Sequence, residues 1–254
     1  MSKVKETAVI ISQDKLTEDI YSMWINTRIA NEAVPGQFVS VYTKDKTRLL
    51  PRPISICETW GSHSLRIVYR IAGEGTKEFS TYKAGDSIDI LGPLGNGFPL
   101  KNDGPAILIG GGIGIPPMLE LAKRLDCDKT IVLGYRNAET FLDKELEEHG
   151  RIVIATDDGS AGIKGNVIDA INRTGISGSI IYACGPTPML KGVKAYALGQ
   201  GIEAYISMEE RMACGVGACL GCVCESVKTD DHSKVNNKRI CKDGPVFHVS
   251  EVVL

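Results

Sequence analysis

No stretch of this sequence approaches the roughly 18 consecutive apolar residues of a membrane-spanning helix, so no membrane span is expected. Charge imbalance is nearly absent as well: 29 Lys and Arg against 31 Asp and Glu leave a net charge of −2. Nothing in that balance suggests a nucleic-acid partner or an anionic membrane surface. Histidine is scarce. His63, His149, His232 and His248 are scattered, and none stands in a Ser/His/Asp or metal-ligand pattern, so hydrolytic chemistry has no basis here. Behind the charges of Met1-Ser2-Lys3-Val4-Lys5-Glu6 there is no apolar run, which predicts no secretory signal and a cytoplasmic, thiol-preserving setting. The acidic run Asp143–Glu148 reads as a solvated helix face.

What is present suffices for two domains and a small third one. The 254 residues are 43% hydrophobic, and 28 are glycine. Residues 1–100 read as all-β. Short runs with β-branched residues at Thr7–Ile11, Tyr21–Ile25, Phe38–Tyr42, Leu65–Arg70 and Ser87–Leu91 alternate with turn signals such as Pro35-Gly36 and Ala84-Gly85-Asp86. Strands at that spacing predict a small antiparallel barrel. The loop Gly92-Pro93-Leu94-Gly95-Asn96-Gly97-Phe98-Pro99 marks a boundary. From residue 101 to 207, continuous apolar runs (Ala106–Ile109, Thr130–Leu133, Arg151–Ala155, Ser179–Ala183, Glu203–Ser207) alternate with helical stretches. Met118, Leu121, Ala122 and Leu125 share one helix face, and Leu190, Val193, Lys194 and Ala197 share another. That alternation predicts a parallel sheet covered on both faces, of nucleotide-binding type. The expected fold class is therefore β plus α/β, with residues 208–254 as a C-terminal appendage.

Five of the eight cysteines fall in the last 41 residues. Cys214, Cys219 and Cys222 form Cys-x4-Cys-x2-Cys in a glycine-rich loop, and Cys224 and Cys241 follow. This is the ligand spacing of a plant-type 2Fe–2S cluster, which needs four thiolates. Gly215, Gly217 and Gly221 let the loop curl so that backbone N–H groups can face sulfur. Zinc would prefer two short Cys-x2–4-Cys knuckles, and only Cys219-x2-Cys222 is one. Disulfides would suit a secreted, stapled fold, which the localised cluster is not. Spacing alone leaves both Cys224 and Cys241 open as the fourth ligand. Cys57, Cys127 and Cys184 read as small buried hydrophobes.

Two glycine turns end strands of the α/β segment. Gly110-Gly111-Gly112-Ile113-Gly114-Ile115-Pro116-Pro117 lies between the first strand and its helix, where backbone N–H groups and a helix N-terminus can meet a pyrophosphate. It is not the G-x-G-x-x-G fingerprint, because position 115 is Ile. Ala183-Cys184-Gly185-Pro186-Thr187-Pro188-Met189 repeats the layout at the fourth strand, so the two turns could flank one dinucleotide. In the barrel region, Arg52-Pro53-Ile54-Ser55 offers an Arg for a phosphate and a hydroxyl for a ring. Tyr69-Arg70-Ile71-Ala72-Gly73-Glu74-Gly75-Thr76 adds a second Arg and a glycine-rich turn.

These sites imply an intermediary. A nicotinamide exchanges two electrons as hydride, a cluster exchanges one, and a flavin can do either. A flavin in the barrel is thus expected from need alone. No acid–base pair for an organic substrate is visible, so the cluster's other electron partner is expected on another protein.

Taken together, these residues resemble the ferredoxin–NADP reductase superfamily, a flavin barrel followed by a nucleotide domain. Its Arg-x-aromatic-Ser flavin motif is matched at Arg52–Ser55, with Ile54 at the aromatic position; the Arg and Ser contacts are kept and the aromatic stacking is not. A closer resemblance is to the electron-transfer subunits of class 1B dihydroorotate dehydrogenase, which carry a C-terminal 2Fe–2S domain. It rests on Arg52–Ser55, Gly110–Pro117, Cys184–Met189, Met208 through Cys224, and Cys241–Phe247. It spans essentially the whole chain.

The resemblance implies FAD, a 2Fe–2S cluster and NAD as an exchanging co-substrate. The residues expected to bind the cofactors are Arg52, Pro53, Ile54, Ser55, Tyr69, Arg70, Ile71, Gly75 and Thr76 for the flavin. Gly110, Gly111, Gly112, Gly114, Cys184, Gly185 and Pro186 are those for the nicotinamide. The resemblance assigns Cys214, Cys219, Cys222 and Cys241 to the cluster and leaves Cys224 spare. It also implies an FMN-containing dihydroorotate dehydrogenase catalytic subunit as partner, two of each chain, in pyrimidine synthesis. Arg136, after the second strand, could attract a 2′-phosphate, so NAD over NADP follows from the resemblance only. A reductase subunit of another complex, of hydrogenase or ferredoxin:NADP oxidoreductase type, would share every motif. A zinc-stabilised binding module would share only the cysteines.

Overall fold

A computed structural model describes residues 3–229 and 234–254; Met1, Ser2 and His232 lie outside them. The alternating N-terminal runs close into an antiparallel barrel. Its strands are β1 (Val4–Lys15), β2 (Ile20–Asn26), β3 (Phe38–Tyr42), β4 (Arg52–Trp60), β5 (Ser64–Arg70) and β6 (Ser87–Leu94), in the order β1-β2-β5-β4-β3-β6. The period of two is plain in β1, where Ala8 and Ile10 are buried while Val9 and Ile11 face solvent. Ile25, Val39, Val41, Ile56, Leu65, Ile67 and Ile90 fill the interior. Closure leaves the sheet without a free edge. Between β5 and β6, α1 (Glu74–Phe79) occupies what the sequence suggests is a plain glycine turn. Phe79 anchors it in the barrel core, and the Thr76 hydroxyl accepts the Ala72 N–H at 2.9 Å.

The α/β segment runs β7 (Ala106–Gly111), α2 (Pro116–Arg124), β8 (Lys129–Tyr135), α3 (Asp143–Glu147), β9 (Arg151–Thr156), β10 (Ile163–Lys164), α4 (Val167–Thr174), β11 (Ile180–Cys184), α5 (Thr187–Gln200) and β12 (Glu203–Ser207). Every residue of β7 is buried, as a central strand covered on both faces requires. The sheet order is β10-β9-β8-β7-β11-β12, all parallel. Winding reverses between β7 and β11, so the crevice for a ligand opens at the carboxyl ends of those two strands. Both glycine turns end there. In α3, Leu146 is buried and Glu145 reaches a barrel arginine, so only part of that acidic run is a solvated face.

The cysteine segment is bound into the seam between barrel and sheet. It contains the hairpin β13 (Val223–Glu225) and β14 (Asn237–Arg239), then α6 (Ile240–Asp243) and β15 (Val246–His248). β15 joins the large sheet antiparallel to β12. Cys222, Ile240, Cys241 and Phe247 share one core with Phe38 and Leu94 of the barrel and with Ile107 and Ile181 of the sheet. The Gly92–Pro99 loop is a clasp as well as a connection. Asn96 donates its backbone N–H to the Gly244 carbonyl at 2.6 Å, and its Nδ2 to the carbonyls of Lys242 and Asp243 at 3.2 and 3.0 Å. Among the described residues no helix is long and apolar enough to cross a membrane.

Candidate functional site

The four thiols assigned by resemblance form two pairs. In the outer pair, Cys214 is half-buried and Cys219 exposed; in the inner pair, Cys222 and Cys241 are both buried. Backbone N–H groups face the sulfurs. Val216 and Ala218 donate to Cys214 Sγ at 3.4 and 3.3 Å, Gly221 to Cys219 Sγ at 3.4 Å, and Cys241 to Cys222 Sγ at 3.4 Å. Burial raises the Cys214 thiol, but the N–H groups of Val216, Cys219 and Ala218 and the Cys219 side chain outweigh it and bring it to about 6. Burial, then the neighbouring Cys222 side chain, push the Cys241 thiol up to about 12. Among the described residues no three His, Cys, Asp or Glu side chains gather around a single point as one metal ion would need. Two pairs suit two irons, each with two thiolates, better than one tetrahedral zinc. Cys224 lies instead on β13, opposite Lys238.

Arg239 holds the fourth thiol in place. Its Nε donates to Asp243 Oδ2 at 3.2 Å, bracing α6, and its Nη1 to the Gly217 carbonyl at 3.2 Å. The loop then reaches the barrel: a Cβ added to Gly215 would stand 2.9 Å from Ser40 Oγ and 3.3 Å from Leu94 Cδ1. Ser40 is the register partner of Pro53. The cysteine loop therefore touches the strand beside Arg52-Pro53-Ile54-Ser55.

The residues expected around a flavin gather at the start of β4, the end of β5 and the start of α1. Arg52 is half-buried, with Nη1 donating to the Leu50 carbonyl and its guanidinium lying over Gly75. Ser55 and Ile54 pair with Phe38 and Val39. Arg70 Nε is buried and forms an ion pair with Asp19 Oδ2 at 3.1 Å, with no hydrogen-bond partner among the described residues. Its Nη2 lies 4.0 Å from the position of a Cβ on Gly112, at the first glycine turn. The guanidinium, ion-paired to Asp19 on one side, faces the glycine turn on the other, where it fits an anionic group. Ile71 is held by its N–H to the Asp19 carbonyl at 2.8 Å. Tyr69 is 1% exposed, its hydroxyl donating to Gln13 Oε1 at 2.9 Å, so its side chain belongs to the barrel core. Glu78 of α1 accepts the Lys44 N–H at 2.6 Å and pairs with Arg48, fastening the loop that precedes Arg52.

The two glycine turns meet. A Cβ on Gly114 would collide with the Cys184 carbonyl and stand 2.6 Å from Gly185 Cα. One on Gly111 would stand 3.2 Å from Pro186 Cδ. Gly110 pairs with Cys184 across β7 and β11. Burial raises the Cys184 thiol to about 12, against the lowering effect of the Ser207 side chain. α2 opens on Pro116 and Pro117, which have no N–H, and the N–H groups of Ile115 and Met118 go to the Gly112 and Ile115 carbonyls at 3.1 and 2.9 Å, so the glycine turn, and not the helix start, would have to meet an anion here. Sequence reasoning missed Ser40, Asn96 and Arg239. None stands in a motif; Asn96, inside a glycine–proline loop, carries the one usable signal.

Two segments of the chain match known family models. The iron-sulfur cluster binding domain of dihydroorotate dehydrogenase B matches residues 209–253, and the oxidoreductase NAD-binding domain matches residues 108–195. The dihydroorotate dehydrogenase B (NAD(+)) electron transfer subunit of Geobacillus sp. (strain WCH70) is 42% identical over 98% of this chain and 99% of its own length. That of Listeria monocytogenes serotype 4b (strain F2365) is 42% identical over 96% and 97%. Among solved structures, a chain of the NADH-dependent reduced ferredoxin-NADP oxidoreductase, described for flavin-based electron bifurcation, superimposes with a TM-score of 0.88. It has 32% identity over 97% of this chain and 89% of that one. The ferredoxin reductase of carbazole 1,9a-dioxygenase, at 19% identity and a TM-score of 0.68 over 80% and 67%, shares the fold.

Proposed function

Because the chain belongs to the family of dihydroorotate dehydrogenase B electron-transfer subunits, we propose that it passes electrons from the FMN of a partner catalytic subunit, by way of a 2Fe–2S cluster and FAD, to NAD. The bound groups supply the exchange between one-electron and hydride chemistry; the chain's own residues hold them and set their spacing. In this reading residues 1–100 hold FAD, 101–207 hold NAD and 208–254 hold the cluster.

The observation that carries the reading is the contact of Gly215 with Ser40, the register partner of Pro53. It brings the cysteine loop against the flavin motif. Cys214, Cys219, Cys222 and Cys241 would be the thiolate ligands, with the N–H groups of Val216, Ala218 and Gly221 directed at sulfur. Arg52 and Arg70 would bind flavin phosphate, and Ser55 would orient the ring. Gly110, Gly111, Gly112 and Gly114 would admit the nicotinamide pyrophosphate, and Cys184, Gly185 and Pro186 would close over its reactive end. Cys219 and Leu220 are exposed at the loop tip, where a one-electron donor could approach. The partner faces that tip, in a cytoplasmic assembly of two of each chain.

The test is reconstitution. The purified chain should show flavin and iron–sulfur absorbance and reduce dyes with NADH, yet leave dihydroorotate untouched. Adding the FMN subunit should create dihydroorotate:NAD activity. Turnover of dihydroorotate by the chain alone, free of partner by mass spectrometry, would refute the reading. A ferredoxin:NADP-type reductase would instead co-purify with a different partner from native extract.

A further inference from the structure

We propose that Arg66 is a positioning residue for the exchange between nicotinamide and flavin, because it ties the barrel directly to α3 and, through Glu58, to α2, the helix behind the first glycine turn. The inference rests on the electron-transfer reading above. Arg66 stands on β5 and is 7% exposed. Within the barrel its Nε donates to Ser22 Oγ on β2 at 2.7 Å, and its Nη1 to Glu58 Oε1 on β4 at 2.7 Å. Across the seam the same guanidinium reaches α3: Nη2 donates to Glu145 Oε1 at 3.2 Å, and Nη1 to Glu145 Oε2.

The second oxygen of Glu58 continues the chain of contacts. Glu58 Oε2 accepts from Lys123 Nζ on α2 at 2.8 Å. One residue along β4, Thr59 donates its N–H and its hydroxyl to Glu120 of α2 at 2.9 and 3.0 Å. Arg124 Nε then donates to the same Glu120 at 2.7 Å. Three cations and three carboxylates thus meet across one seam, with two of the carboxylates, Glu120 and Glu145, on α2 and α3 and the third, Glu58, on the barrel.

Apolar burial alone is non-directional and would let two domains slide. A planar guanidinium fork accepts its carboxylates in one orientation, and burying it is costly unless every partner stays in place. The barrel carries Arg52 and Arg70, and α2 carries the glycine turn at its N-terminus. Fixing α2 against β4 therefore fixes the distance between the two halves of the transfer site. Small errors in that distance cost rate far more than they cost affinity.

The test uses the full chain with its flavin and cluster, in the variants Glu145→Gln and Arg66→Lys. Glu145 is half-exposed, so the first change disturbs folding least. Flavin bleaching is followed by stopped flow with NADH and, separately, with dithionite, which needs no nicotinamide site. Hydrogen exchange is followed without NADH along residues 58–60 and 116–124. The expected result is a fall of about tenfold in the NADH rate, unchanged dithionite rate and FAD content, and faster exchange along the seam but not in β1 or β6. NADH rates within twofold of the unmodified protein, or a parallel fall with both reductants, would overturn the proposal. Unchanged exchange along the seam would overturn it too, even if NADH failed to reduce the unmodified flavin, which would count against the electron-transfer reading instead.

Discussion

Arg52 lies across Gly75: a Cβ at residue 75 would stand 2.6 Å from the guanidinium carbon. The approach joins the start of β4 to the start of α1 and leaves a cation where a barrel-bound phosphate would sit. Replacing Arg52 by Ala removes one charge-assisted contact, about 1.5–3 kcal/mol, or roughly ten- to a hundredfold in FAD affinity. Gel filtration after dilution should show the variant losing FAD that the unmodified protein retains. Equal retention would exclude the phosphate role.

Cys241, not Cys224, should complete the cluster. Cys241 lies beside Cys222 in the inner pair, and Cys224 faces Lys238 in a hairpin. Iron per chain should collapse in Cys241→Ser and hold in Cys224→Ser, and visible absorbance should follow the iron. The reverse pattern would move the fourth ligand to the hairpin.

Gly114→Ala should loosen the nucleotide crevice. The obstacle is the Cys184–Gly185 backbone, which cannot swing aside as a flexible side chain would. Overpacking of this kind costs about 1–3 kcal/mol. A lower melting temperature and a raised KM for NADH are expected, with FAD content intact because the flavin residues lie on the barrel. A KM equal to that of the unmodified protein would show that the two turns do not act together.

Glu78 should make the protein sensitive to acid. Burial raises its carboxyl, but donors at Tyr82, Lys44 and Asp45, with Arg48 nearby, outweigh burial and hold it below the usual value of 4.5. A depressed native value contributes stability that is complete above that usual value and is lost as pH falls through the native one. The urea midpoint of Glu78→Gln should therefore lie below that of the unmodified protein at pH 7, with the gap closing as pH falls below the usual carboxylate value and through the depressed native one. A gap that stays constant with pH would mean that the carboxylate charge contributes nothing.

Periodicity and spacing are local properties, and they carried much of the architecture. Alternation in Thr7–Ile11 and Leu65–Arg70 and continuous apolar runs such as Ala106–Ile109 were enough to indicate a barrel followed by a parallel sheet. Cys-x4-Cys-x2-Cys with its glycines indicates cluster chemistry from spacing alone. The chain could not announce α1, because its glycines read as a turn until Phe79 finds the barrel core. It could not announce β15 either, since three residues gain strand character only by pairing with β12.

What tertiary structure alone decided are contacts between residues far apart in sequence. The pairing of Cys222 with Cys241, the bridge from Gly215 to Ser40, the meeting of Gly114 with Cys184, and the fork of Arg66 between Glu58 and Glu145 each join separate elements. No local pattern encodes them, because each depends on strand order, register and the packing of one domain on another. The sequence by itself determined which kinds of side chain and turn the chain offers; folding determined which of them stand together.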